Sequence, residues 1–230
     1  MTTLAVILAR GGSKGIPGKN RRPFCGTPLV EWCLRAAMNA NHIDSVLLSS
    51  DDDQILAIGS SLGCAVHKRK PEDATDTASS EQSLMAALSE HESGQDAQIV
   101  LMVQPTSPFT SSKDFDLSLE KFEQGNYDSM LAVVNDHSFT WILQEDDSAT
   151  PSYDPKNRPM RQSNLNQRKE TGAFYITKRS ILERERCRLG GRIGCYTMPD
   201  YGAIDIDEEF DWLMAETIAE KLGLEPEALL

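Results

Sequence analysis

The residues best suited to chemistry fall near the two ends of the chain. Residues 4–24, LAVILARGGSKGIPGKNRRPF, gather Arg10, Lys14, Lys19, Arg21 and Arg22 with no acidic residue among them, in a chain of net charge -12. Such a cluster, set in a glycine-rich loop beside an apolar run, calls for an anionic guest. Where the run ends in Arg10-Gly11-Gly12-Ser13-Lys14-Gly15, consecutive backbone N–H groups without obstructing side chains can cradle phosphate oxygens, and the lysines supply charge. This is not the P-loop of ATPases, which needs glycine where Ser13 stands and a hydroxyl where Asn20 stands. Nor is it a dinucleotide fingerprint, because Gly11-Gly12-Ser13 lacks the required glycine spacing. Near the other end, IDID sets Asp205 and Asp207 two residues apart. On an extended strand both carboxylates point to one side, and two such oxygens suit one hard cation, with magnesium (Mg2+) shared between them and substrate phosphates. The other reading of Asp207 is a cap for the final helix, with Glu208, Glu209 and Asp211 complementing its dipole.

The elements that must position these groups alternate along the chain. Apolar runs at 4–9, 45–50, 98–103 and 129–134 read as strands, with a short one at 64–66 and further ones at 172–177, 193–199 and 203–207. Between them, helical spacing follows Pro28 (Leu29, Trp32, Cys33, Ala36, Ala37), spans 52–63 with Gly63 past its end, and recurs at 113–124. At 79–92 another helix is expected, with Ser79 and Gln82 at capping-box spacing. A last helix should turn Phe210, Leu213, Met214, Thr217, Ile218 and Leu222 to one side. Asp51-Asp52-Asp53 reads as a helix start. QPTSPF (104–109) carries two prolines that stop a strand and leave Gln104, Thr106 and Ser107 at its carboxyl end, the edge where open parallel sheets bind ligands. The rhythm breaks over 135–168, which is polar, proline-bearing and aperiodic, yet carries Phe139, Trp141, Ile142, Tyr153 and Met160. Strands interleaved with helices predict an α/β fold in three layers, a mostly parallel central sheet with helices on both faces. It forms one domain over 1–230, with a small segment inserted at 135–170.

Composition narrows the function classes. A chain of 230 residues that is 40% hydrophobic buries a full core, and no apolar run reaches the roughly 20 residues of a membrane span. The acidic balance offers no basic field for nucleic acid. Five scattered cysteines without a C-x-x-C pair read as reduced thiols, and with no signal peptide the expected location is the cytoplasm.

ILARGGSKGIPGKN resembles the nucleotide-binding signature of the acylneuraminate cytidylyltransferases, or CMP-sialic acid synthetases, whose relatives make CMP-Kdo, CMP-legionaminate and CMP-pseudaminate. ATDTASS (74–80), QPTSPF, RQ (161–162), ETGAFYITKRSIL (170–182) and IDIDEEFD (204–211) resemble further segments of that family, in its order and over nearly the whole chain. The resemblance implies a nucleotide-diphospho-sugar transferase-like fold and a CTP-dependent nucleotidyltransferase that converts an acidic 2-keto sugar, a nine-carbon acid of the N-acylneuraminate type, to its CMP-sugar and pyrophosphate. By it, Arg10, Gly11, Gly12, Ser13, Lys14 and Lys19 hold the triphosphate, and Asn20 lies near the nucleotide. Arg69, or Lys70 if the loop shifts by one residue, reads cytosine together with Ala78 and Ser80. Gln104, Arg161 and Lys169 meet the sugar acid, and Asp205 and Asp207 hold magnesium. A homodimer is implied, built through the inserted segment with the partner closing over the sugar site. Arginine and lysine suit neutralisation of charge at a phosphoryl centre, so Arg10, Lys14, Lys19 and Asp207 are the expected catalytic set. Kdo, legionaminate or pseudaminate are alternative substrates for the same chemistry. A non-catalytic nucleotide-binding module of the same fold is the rival of another class.

Overall fold

The structure, a computed structural model, describes residues 1–75, 78–160 and 166–229. In chain order the elements are β1 (Thr3–Leu8), β2 (Pro23–Phe24), β3 (Thr27–Pro28), α1 (Leu29–Met38), β4 (Ser45–Ser50), α2 (Asp53–Ser61), β5 (Ala65–Lys68), α3 (Ser80–Glu90), α4 (Glu92–Gln95), β6 (Ile99–Val103), α5 (Ser112–Gln124), β7 (Ser129–Asn135), β8 (Trp141–Leu143), β9 (Ala149–Pro151), β10 (Arg168–Lys178), α6 (Arg179–Glu185), β11 (Ile193–Thr197) and α7 (Glu209–Leu222). Seven strands form one sheet in the order β11-β7-β10-β6-β1-β4-β5. β10 runs antiparallel to both β6 and β7, and the other pairings are parallel. The carboxyl ends of β1, β4, β6 and β7 therefore share one edge with the amino end of β10.

Continuous apolar runs are what a sheet covered on both faces demands. Ala5, Ile7, Leu48, Leu101, Val103, Phe174 and Ile176 point to one face, where they pack with α1, α2 and α5. Leu4, Val6, Leu47, Val100, Met102 and Tyr175 point to the other, against α3 and Leu182 of α6. A third core lies apart from the sheet, an aromatic knot of Phe24, Trp32, Phe109 and Trp212, with Phe24 and Trp212 edge to face at 5.5 Å. This knot takes Ile16 from the glycine-rich loop and Ile206 from between the two aspartates, both almost wholly buried. Apolar burial thus draws together two segments that sequence holds far apart.

Three expectations are corrected. The stretch 203–207 joins no sheet: a single turn of 3-10 helix over Asp200–Ala203 leads into irregular chain, held where the Ile206 amide donates to the Thr106 carbonyl at 2.8 Å. Alternation survives without a ladder, since Ile206 turns inward while the flanking carboxylates face the cavity described below. In α7 most of the expected stripe is on the wrong face. Phe210, Leu213, Met214 and Leu222 are exposed, and Trp212, Ala215 and Ala219 make the contact, with Ile218 of the expected stripe partly buried against the same cluster. One bulky indole with two small alanines lets the helix approach the knot closely, and the Arg22 guanidinium lies 4.3 Å from the Trp212 ring centroid. Finally, the ends of the segment expected at 135–170 belong to the sheet, because Arg168, Lys169 and Glu170 pair with Asn135, Val134 and Val133. Between those strand ends, β8 and β9 form a separate hairpin whose Trp141, Ile142 and Leu143 are exposed, while Phe139 and Trp141 pack on Tyr153.

Candidate active site

After β1 the chain needs support for a loop rich in cations, and the acidic triplet 51–53 provides it. The Gly11 amide donates to Asp51 Oδ1 at 2.8 Å, and a Cβ on Gly11 would stand 2.7 Å from Asp52 Cβ. Asp52 also caps α2 through Gln54 and Ile55 and lies 3.3 Å from the Arg21 guanidinium, and Asp53 pairs with Lys68 at 2.6 Å. The triplet is a helix start as read from sequence, and in addition a brace for the loop. Two glycine positions on, a Cβ on Gly15 would fall 2.1 Å from the Asp207 carbonyl oxygen, so loop and aspartate segment touch backbone to backbone. Lys19, nearly buried, donates from Nζ to the Ile206 carbonyl and to Asp207 Oδ1, the latter at 2.9 Å. Asn20 Nδ2 donates to the Arg10 carbonyl at 2.9 Å.

These contacts enclose a cavity of about 550 Å³ at the carboxyl edge of the sheet. Arg10, Ser13, Lys14, Lys19 and Asn20 line it together with Asp205 and Asp207, the two sets meeting where Lys19 bonds Asp207. Gln104 closes the end of β6, and Arg69, Ala78 and Ser80 close the side toward α3. Arg69 is 5% exposed and spends two donors on Ser49, from Nη2 to the carbonyl at 3.0 Å and from Nε to the hydroxyl. Lys70 points away and pairs with Glu90, so the register that left Arg69 and Lys70 open closes on Arg69 as the cation facing the cavity. Ser79 caps α3 by accepting from the Gln82 amide, but the Gln82 side chain donates to Asp73 instead of closing the capping box, which ties the 71–75 turn to the helix start.

The electrostatics follow from burial. The Asp205 carboxyl is pushed above the ordinary aspartate range chiefly by burial, with Asp207 adding to it and a Thr106 hydrogen bond and Lys19 opposing. Arg69 is pushed down by burial, opposed by Asp51 and Asp73, with Arg10 pushing the same way as burial. Asp205 Oδ1 and Asn20 Oδ1 are both buried without a hydrogen-bond partner among the described residues. An orphaned carboxylate oxygen two residues from a second carboxylate that lines the same cavity fits a hard cation that completes its shell with phosphate and water. No group of three or more His, Cys, Asp or Glu side chains placed to hold a metal occurs among the described residues, so such an ion would rest on the Asp205 and Asp207 pair.

Not every sequence-derived residue reaches the cavity. Gly11 and Gly12 stand outside its wall, Gly11 because its amide is spent on Asp51. Lys169 is exposed on β10, opposite Val134 and close enough to Asp136 to lower that carboxyl, and is not part of the cavity wall. Arg161 lies outside the described residues. Sequence reasoning missed Asp73, Thr75 and Ser83, all in the wall, whereas Gly15 of the phosphate cradle and Thr106 of the strand end line it as the sequence suggested. Thr75 sat inside a segment already singled out, while Asp73 and Ser83 carried no signal. Gly172, at φ +79°, comes so near the site that a Cβ there would meet Gln104 Oε1 at 3.3 Å and Asp205 Oδ2 at 3.8 Å.

A profile of the family described as Cytidylyltransferase matches residues 4–228. N-acylneuraminate cytidylyltransferase A of Danio rerio is 35% identical over 223 residues, covering 95% of this chain and 51% of that protein. N-acylneuraminate cytidylyltransferase of Oncorhynchus mykiss is 37% identical over 226 residues, covering 95% and 50%. The chain thus spans about half the length of these curated relatives. Among solved structures, CMP:2-keto-3-deoxy-manno-octonic acid synthetase complexed with CTP superposes with a TM-score of 0.72 at 16% identity, over 96% of this chain and 100% of that one. That likeness concerns the fold. No helix among the described residues is long and apolar enough to cross a membrane.

Proposed function

Because the chain belongs to the cytidylyltransferase family, we propose that it joins the CMP group of CTP to an acidic 2-keto sugar of the N-acylneuraminate type, releasing pyrophosphate. The observation that carries this reading is the convergence of the cationic loop and the aspartate pair on one cavity, locked by Lys19 on Asp207 and by Gly15 against the Asp207 backbone. The anomeric hydroxyl gives up its proton to an aspartate of the 205 and 207 pair or to water and attacks the α-phosphorus in line; a new P–O bond forms as the bond from that phosphorus to the bridging oxygen of the departing pyrophosphate breaks. Little covalent chemistry falls to the protein, so positioning and charge neutralisation are its tasks. Arg10 and Lys14 offset the charge that builds on the leaving pyrophosphate, with Ser13 beside them. Lys19 holds Asp207 in place and keeps a third ammonium donor for the phosphates. Asn20 presents an acceptor to the nucleotide. Arg69, steadied by Ser49, and the Ala78–Ser80 segment face the cytosine. Gln104 orients the sugar acid beside Gly172, where the absence of a side chain leaves room for it. Asp205 and Asp207 would hold Mg2+, which when bound supplies positive charge to the phosphate oxygens.

Pyrophosphate release from CTP in the presence of N-acetylneuraminate is the direct test, and excess EDTA is expected to reduce it at least a hundredfold, with recovery on adding magnesium. Release with no acid in a panel that includes Kdo, legionaminate and pseudaminate would leave only a nucleotide-binding module. Kdo keeps a place in that panel because one of the solved structures with the same fold is the CMP:2-keto-3-deoxy-manno-octonic acid synthetase.

The hairpin of β8 and β9 supports a second copy of the chain as partner. Trp141 is 55% exposed, Ile142 62% and Leu143 68%, a patch that an aqueous surface does not favour. Sedimentation at micromolar concentration is expected to give about twice the 25.5 kDa chain mass, and a species at the chain mass alone would oppose it.

A further inference from the structure

Behind Arg69 lies a chain of buried polar groups that the reaction itself does not use. Alternate side chains of β5 share one face, so Ala65, His67 and, one step past the strand, Arg69 turn to the side on which α3 packs. The Arg69 amide donates to the Ser50 carbonyl at 2.8 Å, which continues the ladder between β5 and β4, and Ser49 stands opposite His67 in that ladder. Ser49, His67 and Arg69 are all buried. Only Arg69 of the three lines the cavity.

The partners of His67 fix its tautomer. Its Nε2 lies 3.3 Å from Glu90 Oε2 at the end of α3, and Lys70 pairs with the other oxygen of that carboxylate. Lys70 first and His67 second hold the Glu90 carboxyl below the usual glutamate range, so it is ionised and can only accept. Nε2 therefore carries the ring proton, and Nδ1 is an acceptor. Ser49 Oγ stands 3.0 Å from Nδ1, so its hydroxyl donates to the ring and turns its lone pairs to Arg69 Nε at 3.4 Å. With Nη2 donating to the Ser49 carbonyl at 3.0 Å, one residue takes two nitrogens of the guanidinium and sets its plane. Nη1 takes part in neither bond. Without an acceptor at Nδ1, the Ser49 hydrogen would turn toward Arg69, donor against donor.

Resting on the cytidylyltransferase reading above, we infer that His67 is a positioning residue for base selection, which through the Ser49 hydroxyl holds Arg69 in the orientation that favours cytosine over uracil. Cytosine offers acceptors at N3 and O2, whereas uracil carries a hydrogen on N3 that a fixed guanidinium opposes. A guanidinium that rocks adapts to either edge. The selectivity for CTP over UTP is then set in part by a ring that does not touch the nucleotide.

The test is the ratio of kcat/KM for CTP to kcat/KM for UTP in the wild type, His67→Phe and His67→Asn, measured with the sugar acid that the wild type turns over; if UTP is not turned over, it is read as a competitor of CTP. This ratio does not depend on how much of a preparation is folded. His67→Phe keeps a ring of similar size and removes the acceptor, so the ratio is expected to fall about fivefold or more, with the KM for the sugar acid within about twofold of wild type. His67→Asn returns an acceptor near Nδ1 and is expected to recover most of the loss. An unchanged ratio in His67→Phe, or a fall equally large in His67→Asn, overturns the assignment. If His67→Phe does not fold, Glu90→Ala at the partly exposed end of α3 releases the tautomer without opening the core; a fall in the ratio upholds the role and an unchanged ratio overturns it. Should the wild type turn over no sugar acid with CTP, the cytidylyltransferase reading fails by itself. Calorimetry of CTP and UTP then decides: a preference for CTP that His67→Phe loses upholds the role of His67, and no preference, or one that His67→Phe keeps, overturns it.

Discussion

Asp205→Asn is expected to lower the rate of pyrophosphate release about a thousandfold, a magnitude typical of removing one preorganised electrostatic group from a phosphoryl-transfer site. The exchange keeps size and shape and removes one charge. Asp205 sits behind the exposed Asp207, with Oδ1 buried and unpartnered and with its carboxyl pushed up by burial, so its ionised form is held at a cost in the folded protein. Asparagine relieves that cost. At neutral pH without added metal, the urea midpoint of the variant is therefore expected to equal or exceed that of the wild type, while turnover is lost. Activity within tenfold of wild type would remove Asp205 from the reaction. A large drop in midpoint would make it a structural residue instead.

The second large effect is expected from Gly15→Ala. The new Cβ would stand 2.1 Å from the Asp207 carbonyl oxygen, a backbone atom that no rotamer change can move. Loop and aspartate segment must separate, and Lys19, which bridges to the Ile206 carbonyl and Asp207 Oδ1, cannot follow both. Overpacking of this kind costs about 1–3 kcal/mol, and a displacement near 1 Å at a phosphoryl centre costs about a hundredfold in rate. Gly12→Ala is the matched control: nothing lies within 4 Å of its Cβ, so stability should change by less than about 0.5 kcal/mol. Urea denaturation and pyrophosphate release on the pair read both effects. Equal behaviour of the two variants would mean that the contact between Gly15 and Asp207 carries neither stability nor rate.

Much of the scaffold was readable from pattern. Strands β1, β4, β6 and β7 fall within a residue or two of their apolar runs, Ser79 caps α3, and Gly63 follows α2 with φ +83°. These features are local, since side-chain alternation and capping act over a few residues. The face of α7 was not readable. Its large apolar residues form the more hydrophobic stripe, yet apart from Ile218 they are exposed, and the helix packs chiefly through Trp212 and two alanines because Trp212 completes the aromatic knot. Asp51 gave no sign of its bond to Gly11, forty residues away, for a carboxylate's partner is set by which strand ends lie side by side.

Residue types and their order alone determined the chemistry on offer: a glycine-rich cationic loop, a carboxylate pair two residues apart and a proline-stopped strand end, all carried on an alternating α/β chain. Only the tertiary structure decided that these face a single cavity, that Arg69 rather than Lys70 turns into it, and that Gly11 and Lys169 stay outside its wall. The reason is physical. Ile16 and Ile206 are buried in the same apolar cluster, and that burial, which depends on neither charge nor motif, carries Gly15 and Lys19 against Asp207.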